Sequence, residues 1–179
     1  MKAVLDACVL YPTVLREILI LAADAGLYEP VWSHRILAEW RHAAARLGQG
    51  DVAGAEIALL TAARPAAFAP DDGTAAEGID WPDPADRHVA EAALAARADL
   101  IVTANLRDFP ARATAALGLR AVHPDAFLTG LYASAPDPVA DAVRIVHARA
   151  VGAGGPVELR DLLRRARLPR LAKALARSG

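Results

Sequence analysis

Two short apolar runs constrain the fold more than anything else in this chain. Val4-Leu5 and Leu100-Ile101-Val102 each give way to polar residues and then to a helical pattern, which is how buried parallel strands feeding crossover helices read. In open α/β sheets, ligands bind in the crevice beyond the carboxyl ends of the strands. Asp6 ends the first run, and Asn105 and Asp108 follow the second. Three polar groups are therefore expected at the functional edge of a parallel sheet.

Glu39 and Asp86 have to reach that edge from helices. A helix from about Ser33 carries Ile36, Trp40, Ala43 and Leu47 as an apolar stripe, with Glu39 at its border. Asp86 precedes Val89, Ala90 and Ala93 by three, four and seven residues, which puts it on the face that packs on the sheet. Two unit charges ~4 Å apart repel by roughly 4 kcal/mol at an effective dielectric of ~20. Four gathered carboxylates, Asp6, Glu39, Asp86 and Asp108, thus require protons or a cation. Ligands that are all oxygen select hard ions such as Mg²⁺ or Mn²⁺, and such a site suits phosphodiester hydrolysis with one or two ions held directly or through water.

Simpler roles compete for several of these residues. Asp83 before Pro84 reads as a helix cap, and Asp86 then falls in a first turn where negative charge is favourable. Asp108 could cap a helix opening at Phe109-Pro110, and Ser33 could cap the Glu39 helix. Capping explains neither Asp6 nor Glu39.

The remaining organisation follows from breakers and periodicity. Pro12 opens a helix ending near Gly26, residues 28–32 read as a short strand, and Gly48-Gln49-Gly50 separates the Glu39 helix from another over residues 52–64. Residues 65–82 carry Asp71, Asp72, Glu77 and Asp80 with no basic residue, and read as an exposed connection. A strand at 99–103, a short helix after Pro110 and a last strand at 119–122 complete a domain taken as residues 1–125. Residues 126–179 read as a helical C-terminal extension. It comprises a helix from Asp137-Pro138 to about Ala150, a joint at Gly152-Ala153-Gly154-Gly155, and a basic segment opened by Pro156 and interrupted by Pro169.

Net charge is −1, yet residues 1–143 hold 11 basic and 19 acidic side chains and residues 144–179 hold 9 and 2. Arg160, Arg164, Arg165, Arg167, Arg170, Lys173 and Arg177 could contact phosphates. The apolar stripe Leu159, Leu162, Leu163 and Ala166 among them favours a solvated helix face for most. The single cysteine, Cys8, excludes an internal disulfide and a cysteine-rich zinc site, fits a reducing cytoplasm, and reads as a small buried residue. No run is long enough to span a bilayer, so a cytoplasmic location and no membrane partner are expected.

Other chemistries fail on missing residues. The serines, Ser33, Ser134 and Ser178, include no G-x-S-x-G, the five histidines show no zinc spacing, and no strand-proximal G-x-G-x-x-G argues for a dinucleotide cofactor. A receiver domain would want a downstream lysine, and the only lysines are Lys2 and Lys173. A haloacid-dehalogenase-type phosphatase would want an aspartate where Cys8 stands.

Four ordered segments carry a family resemblance: Leu5 to Pro12 (LDACVLYP), Trp32-Ser33 with Ile36 to Trp40 (ILAEW), Asp83 to His88 (DPADRH), and Ala98 to Pro110 (ADLIVTANLRDFP). Together they resemble a PIN domain, and more narrowly the VapC-like ribonuclease toxins of type II toxin–antitoxin systems. The resemblance implies a Mg²⁺- or Mn²⁺-dependent endoribonuclease on a parallel β-sheet sandwiched by helices, with Asp6, Glu39, Asp86 and Asp108 as metal-holding catalytic positions. Asn105, Thr103, Ser33 and Asp83 become supporting groups. It implies an RNA substrate, a cognate antitoxin and a homodimer, with 5′-phosphate and 3′-hydroxyl products. An inactive PIN-like scaffold binding RNA or protein is the alternative, and retention of every acidic position argues against it.

Overall fold

The structure is a computed structural model in which residues 1–178 are described. The chain opens with β1 (Lys2–Leu5), a one-turn helix α1 (Ala7–Leu10), α2 (Thr13–Asp24), β2 (Glu29–Val31), α3 (His34–Ala45) and α4 (Gly50–Ala63). Then come α5 (Arg87–Ala95), β3 (Leu100–Val102), α6 (Ala111–Ala116), β4 (Ala121–Val122), α7 (Pro124–Ser134), α8 (Pro136–Gly154), α9 (Leu159–Arg165) and α10 (Pro169–Ser178). Two 3₁₀ turns, Pro65–Ala67 and Pro84–Asp86, precede α5.

By contacts the chain groups into two compact units, Met1–Tyr11 with Glu29–Val122, and Pro12–Tyr28 with the residues from His123 on. The grouping does not follow chain order, because α2 packs with α8. The extension expected at 126–179 ends on Gly179, which lies outside the described residues.

The first unit is built on a parallel four-stranded sheet in the order β2-β1-β3-β4. Both apolar runs of the sequence are central strands, and Val4, Leu5, Ile101 and Val102 are fully buried. Burying each such side chain stabilises by about 1.5–3 kcal/mol. From β1 the chain steps to β2 on one side, and from β3 to β4 on the other. The gap beyond the ends of β1 and β3 is thus the topological switch point, where α/β sheets open a crevice. The register Leu5↔Val102 puts Asp6 and Thr103, the next residues of each strand, side by side there. α5 packs over β1 and β3 through Val89, Ala90, Ala92 and Ala93, small enough for close approach to the sheet.

The second unit is helical. In α2, Leu15, Ile18, Leu19 and Ala22 form the buried stripe, and Gly26 at φ 78° follows its end, a left-handed conformation that suits glycine. Asp125, only 4% exposed, spends both carboxylate oxygens on the first amides of α10, accepting from Arg170 N and Leu171 N at 3.0 Å each. A side chain 45 residues away thereby caps that helix.

Three expectations are corrected. The glycine joint is not a break at 152–154, because α8 runs through Gly154 and ends only where Gly155 takes φ 84°. The basic segment begins its helix at Leu159 instead of Pro156. The connection at 65–82 is not wholly exposed: Ala67, Ala69, Ala76 and Trp81 are buried, and the buried carboxylate of Glu91 accepts from Ala76 N at 2.7 Å. Packing against α5 overrides the polar composition of that segment.

Candidate functional site

A cleft of about 550 Å³ opens in the first unit at the switch point, lined by Asp6, Ala7, Cys8, Tyr11, Glu39, Ala43, Arg46, Leu47, Asp86, Asn105 and Asp108. Four carboxylates and the Asn105 amide, drawn from β1, α3, the turn before α5 and the loop after β3, thus share one cavity. Arg46 is the single cation among these lining residues.

Asp6 is the most fixed of the carboxylates. It is 8% exposed, and its Oδ2 accepts from Thr103 Oγ1 at 2.7 Å and from Cys8 Sγ at 3.0 Å. Thr103 is fully buried and also accepts from Asn105 N at 3.0 Å, so one hydroxyl orients both Asp6 and the loop that carries Asn105 and Asp108. Burial first, then the adjacent Asp6 charge, pushes the Cys8 thiol up to about 12. Cys8 is therefore a neutral donor, and its sulfur in turn accepts from Ala104 N at 3.2 Å. The Asn105 side-chain amide donates to Asp108 Oδ2.

Asp86 ends the 3₁₀ turn one residue before α5, closer to the helix entry than the helical reading placed it. Its side chain makes no capping bond. Partial burial, then the charges of Asp108, Asp6, Asp83 and Glu39 in that order, raise its carboxyl to about 6. Burial and the repulsion of its acidic neighbours thus both act on this group.

Glu39 is held from two sides. Arg35 Nε lies 3.6 Å from Glu39 Oε1, and its guanidinium also donates to Ala85 O at 3.0 Å, tying α3 to the turn that bears Asp86. His88 Nε2 comes within 2.9 Å of the same Glu39 oxygen, and Nδ1 lies 3.9 Å from Asp71 Oδ2. The His88 ring is 3% exposed and neither nitrogen makes a well-aligned hydrogen bond. The 2.9 Å approach is therefore an electrostatic contact with poor alignment.

Three supporting residues, Thr103, Ser33 and Asp83, fall outside the cavity lining. Ser33 is fully buried and accepts from Ile36 N at 3.2 Å as the cap of α3. Asp83 accepts from Ala85 N at 2.8 Å as the cap of its 3₁₀ turn. The capping role considered for Asp108 is not adopted, since α6 starts at Ala111 with Pro110 before it. Residues not singled out for the site are Cys8, Tyr11, Arg35, Arg46 and His88. Arg35 could have been found from its i,i+4 spacing to Glu39, and His88 from its place two residues after Asp86.

Among the described residues, no group of three or more His, Cys, Asp or Glu side chains is arranged to hold an ion as it stands. The donors nonetheless fit a hard dication: all are oxygen, and the raised carboxyl of Asp86 records negative charge that a cation would relieve.

A model of the PIN domain matches residues 2–107. Over 43 residues, 24% of this chain, the sequence is 51% identical to a Mycobacterium tuberculosis (strain ATCC 25618 / H37Rv) protein named "Putative ribonuclease VapC50". The match covers a quarter of that relative's length (25%). No solved structure matches the chain. No described helix is long and apolar enough to cross a membrane.

Proposed function

The chain belongs to the PIN-domain family, and from that premise we propose that it is a divalent-metal-dependent endoribonuclease acting as the toxin of a type II toxin–antitoxin pair. The observation that carries the reading is the convergence of Asp6, Glu39, Asp86 and Asp108 on one cleft at the switch point. The likeness of 43 residues to a protein whose name includes ribonuclease and VapC50 supports it. A cognate antitoxin, a homodimer and a cytoplasmic location belong to the same proposal.

In this reading the four carboxylates hold one or two Mg²⁺ or Mn²⁺ ions. Such an ion, when bound, lowers the pKa of water and neutralises charge on phosphoryl oxygens. The protein's own contribution is order. Thr103 and Cys8 both donate to Asp6 Oδ2, and Oδ1 takes no hydrogen bond among the described residues. Asn105 aligns Asp108, while Arg35 and His88 restrain Glu39. Arg46 supplies a positive group at the cleft for the RNA backbone. Water adds to phosphorus in line as the 3′ oxygen leaves with a proton, giving a 5′-phosphate and a 3′-hydroxyl. No 2′-hydroxyl attack is needed.

The test is cleavage of single-stranded and structured RNA by the purified protein with Mg²⁺, Mn²⁺ or EDTA, with analysis of the product ends. Metal-dependent 5′-phosphate products, reduced about a hundredfold or more in Asp6→Asn, are expected. Products ending in 2′,3′-cyclic phosphate, or cleavage indifferent to both EDTA and Asp6→Asn, would refute it.

A further inference from the structure

The cations from α8 onward differ in their partners. On α8, Arg144 pairs with Asp141, and Arg149 Nη1 meets Glu17 Oε2 at 2.9 Å. Beyond α8, Arg164 has the exposed Asp161 at 3.5 Å. Arg165, Arg167, Arg170, Lys173 and Arg177 are exposed, and none of their side chains forms an ion pair among the described residues. Like charges crowded on a short segment without counter-charge favour a polyanion.

Their placement is ordered by the fold. Leu162 and Leu163 of the apolar stripe are buried, as are Leu168 and Leu171, and the cations face outward. At 100° per residue, Arg170, Lys173 and Arg177 of α10 lie within roughly 60° of one another and span about 10 Å. The Asp125 carboxylate fixes the start of that helix, and with it the stripe. A stripe of that length can meet more than one phosphate of a single strand.

We propose that the α9–α10 surface, through Arg165, Arg167, Arg170, Lys173 and Arg177, is a sequence-independent binding surface for the phosphate backbone of RNA. The identification of the polyanion as RNA rests on the ribonuclease reading. A cleft of carboxylates and the acidic connection at 65–82 repel a polynucleotide, and residues 1–143 hold only 11 basic against 19 acidic side chains. A nuclease with such a site needs cationic contacts elsewhere on its chain. Residues 144–179, with 9 basic and 2 acidic side chains, supply them.

The test is fluorescence anisotropy of a labelled single-stranded RNA with full-length protein carrying Asp6→Asn, in EDTA. Five contacts predict that log affinity falls with log salt at a slope of about −3 to −4 between about 50 and 300 mM KCl. Adding Arg170→Gln, Lys173→Gln and Arg177→Gln should flatten the slope by about 2 and weaken binding near 100 mM at least about tenfold. An unchanged slope in a triple variant that melts like its parent overturns the proposal. So does a polyglutamate of equal charge that displaces RNA as well as unlabelled RNA does, which would assign the surface to an acidic protein. Binding is read without cleavage, so loss of the nuclease reading through inactive wild-type protein and loss of this one are separate results.

Discussion

Asp86→Asn should make the metal-free protein more stable while removing the ribonuclease activity proposed for it. The carboxyl titrates at about 6 against an ordinary 3.8 because it is partly buried among other carboxylates. A proton favours the folded form, so this group imposes no penalty below pH 3.8, where both states are protonated. Stability is lost as pH rises from there to about 6, and above that the full penalty remains. The shift would correspond to about 3 kcal/mol at about 1.4 per unit; solvent screening of a half-buried group reduces this to about 1.5. Loss of a favourable charge at the start of α5 takes back about 0.5. A net gain of about 1 kcal/mol raises Tm by about 2–4 °C in a chain of this size. Melts in EDTA at pH 7.5 should show this gain, and melts near pH 4 should not. The Mn²⁺-induced stabilisation of the parent should weaken as pH falls through 6, where the proton competes, and should be lost in the variant. A variant equally destabilised at both pH values would refute the idea that Asp86 is held against its neighbours' charge.

The other predictions address single contacts. With its thiol near 12, Cys8 should react with iodoacetamide at pH 8 about a thousandfold more slowly than an ordinary thiol, and comparable rates would contradict its place beside Asp6. Asp125→Ala should cost about 1–2 kcal/mol and speed hydrogen exchange at Arg170 and Leu171; unaltered exchange there would show that the cap does not hold α10. On the proposed ribonuclease reading, Arg46→Ala should raise KM for RNA about tenfold with little change in kcat, as expected of a group meeting the backbone in ground and transition states alike; a fall in kcat at constant KM would place it in the chemistry instead.

The parts legible in the sequence were those set by local physics. Val4-Leu5 and Leu100-Ile101-Val102 declare buried strands because an uninterrupted apolar run has no amphipathic alternative at that length, and Ser33 announces α3 by the chemistry of a cap. Polar residues at strand ends then had to meet at the switch point, which brought Asp6, Asn105 and Asp108 together. What was missed depends on neighbours remote in the chain. Nothing local to Ala67, Ala69 or Ala76 shows that they are covered, and nothing local to Gly152 and Gly154 shows that α8 continues through them. Cys8 donates to Asp6 only two residues away, but the amide of Ala104 that its sulfur accepts from stands 96 residues on, so its position could be read and its full set of partners could not.

The carboxylates of the cleft divide by how the fold treats their charge. Asp6 receives two donors on one oxygen, Asp108 one amide, and Glu39 a guanidinium and an imidazole, whereas Asp86 receives no capping bond and carries the repulsion of the rest. A structural set of acids would spread its donors to minimise that repulsion, as the capping aspartates Asp83 and Asp125 do by meeting backbone amides. Leaving one carboxylate uncompensated in the cleft costs stability without a packing return. The arrangement makes physical sense if the missing counter-charge arrives with a bound cation; the instability of Asp86 in the free protein and the metal affinity proposed for it would then have the same origin.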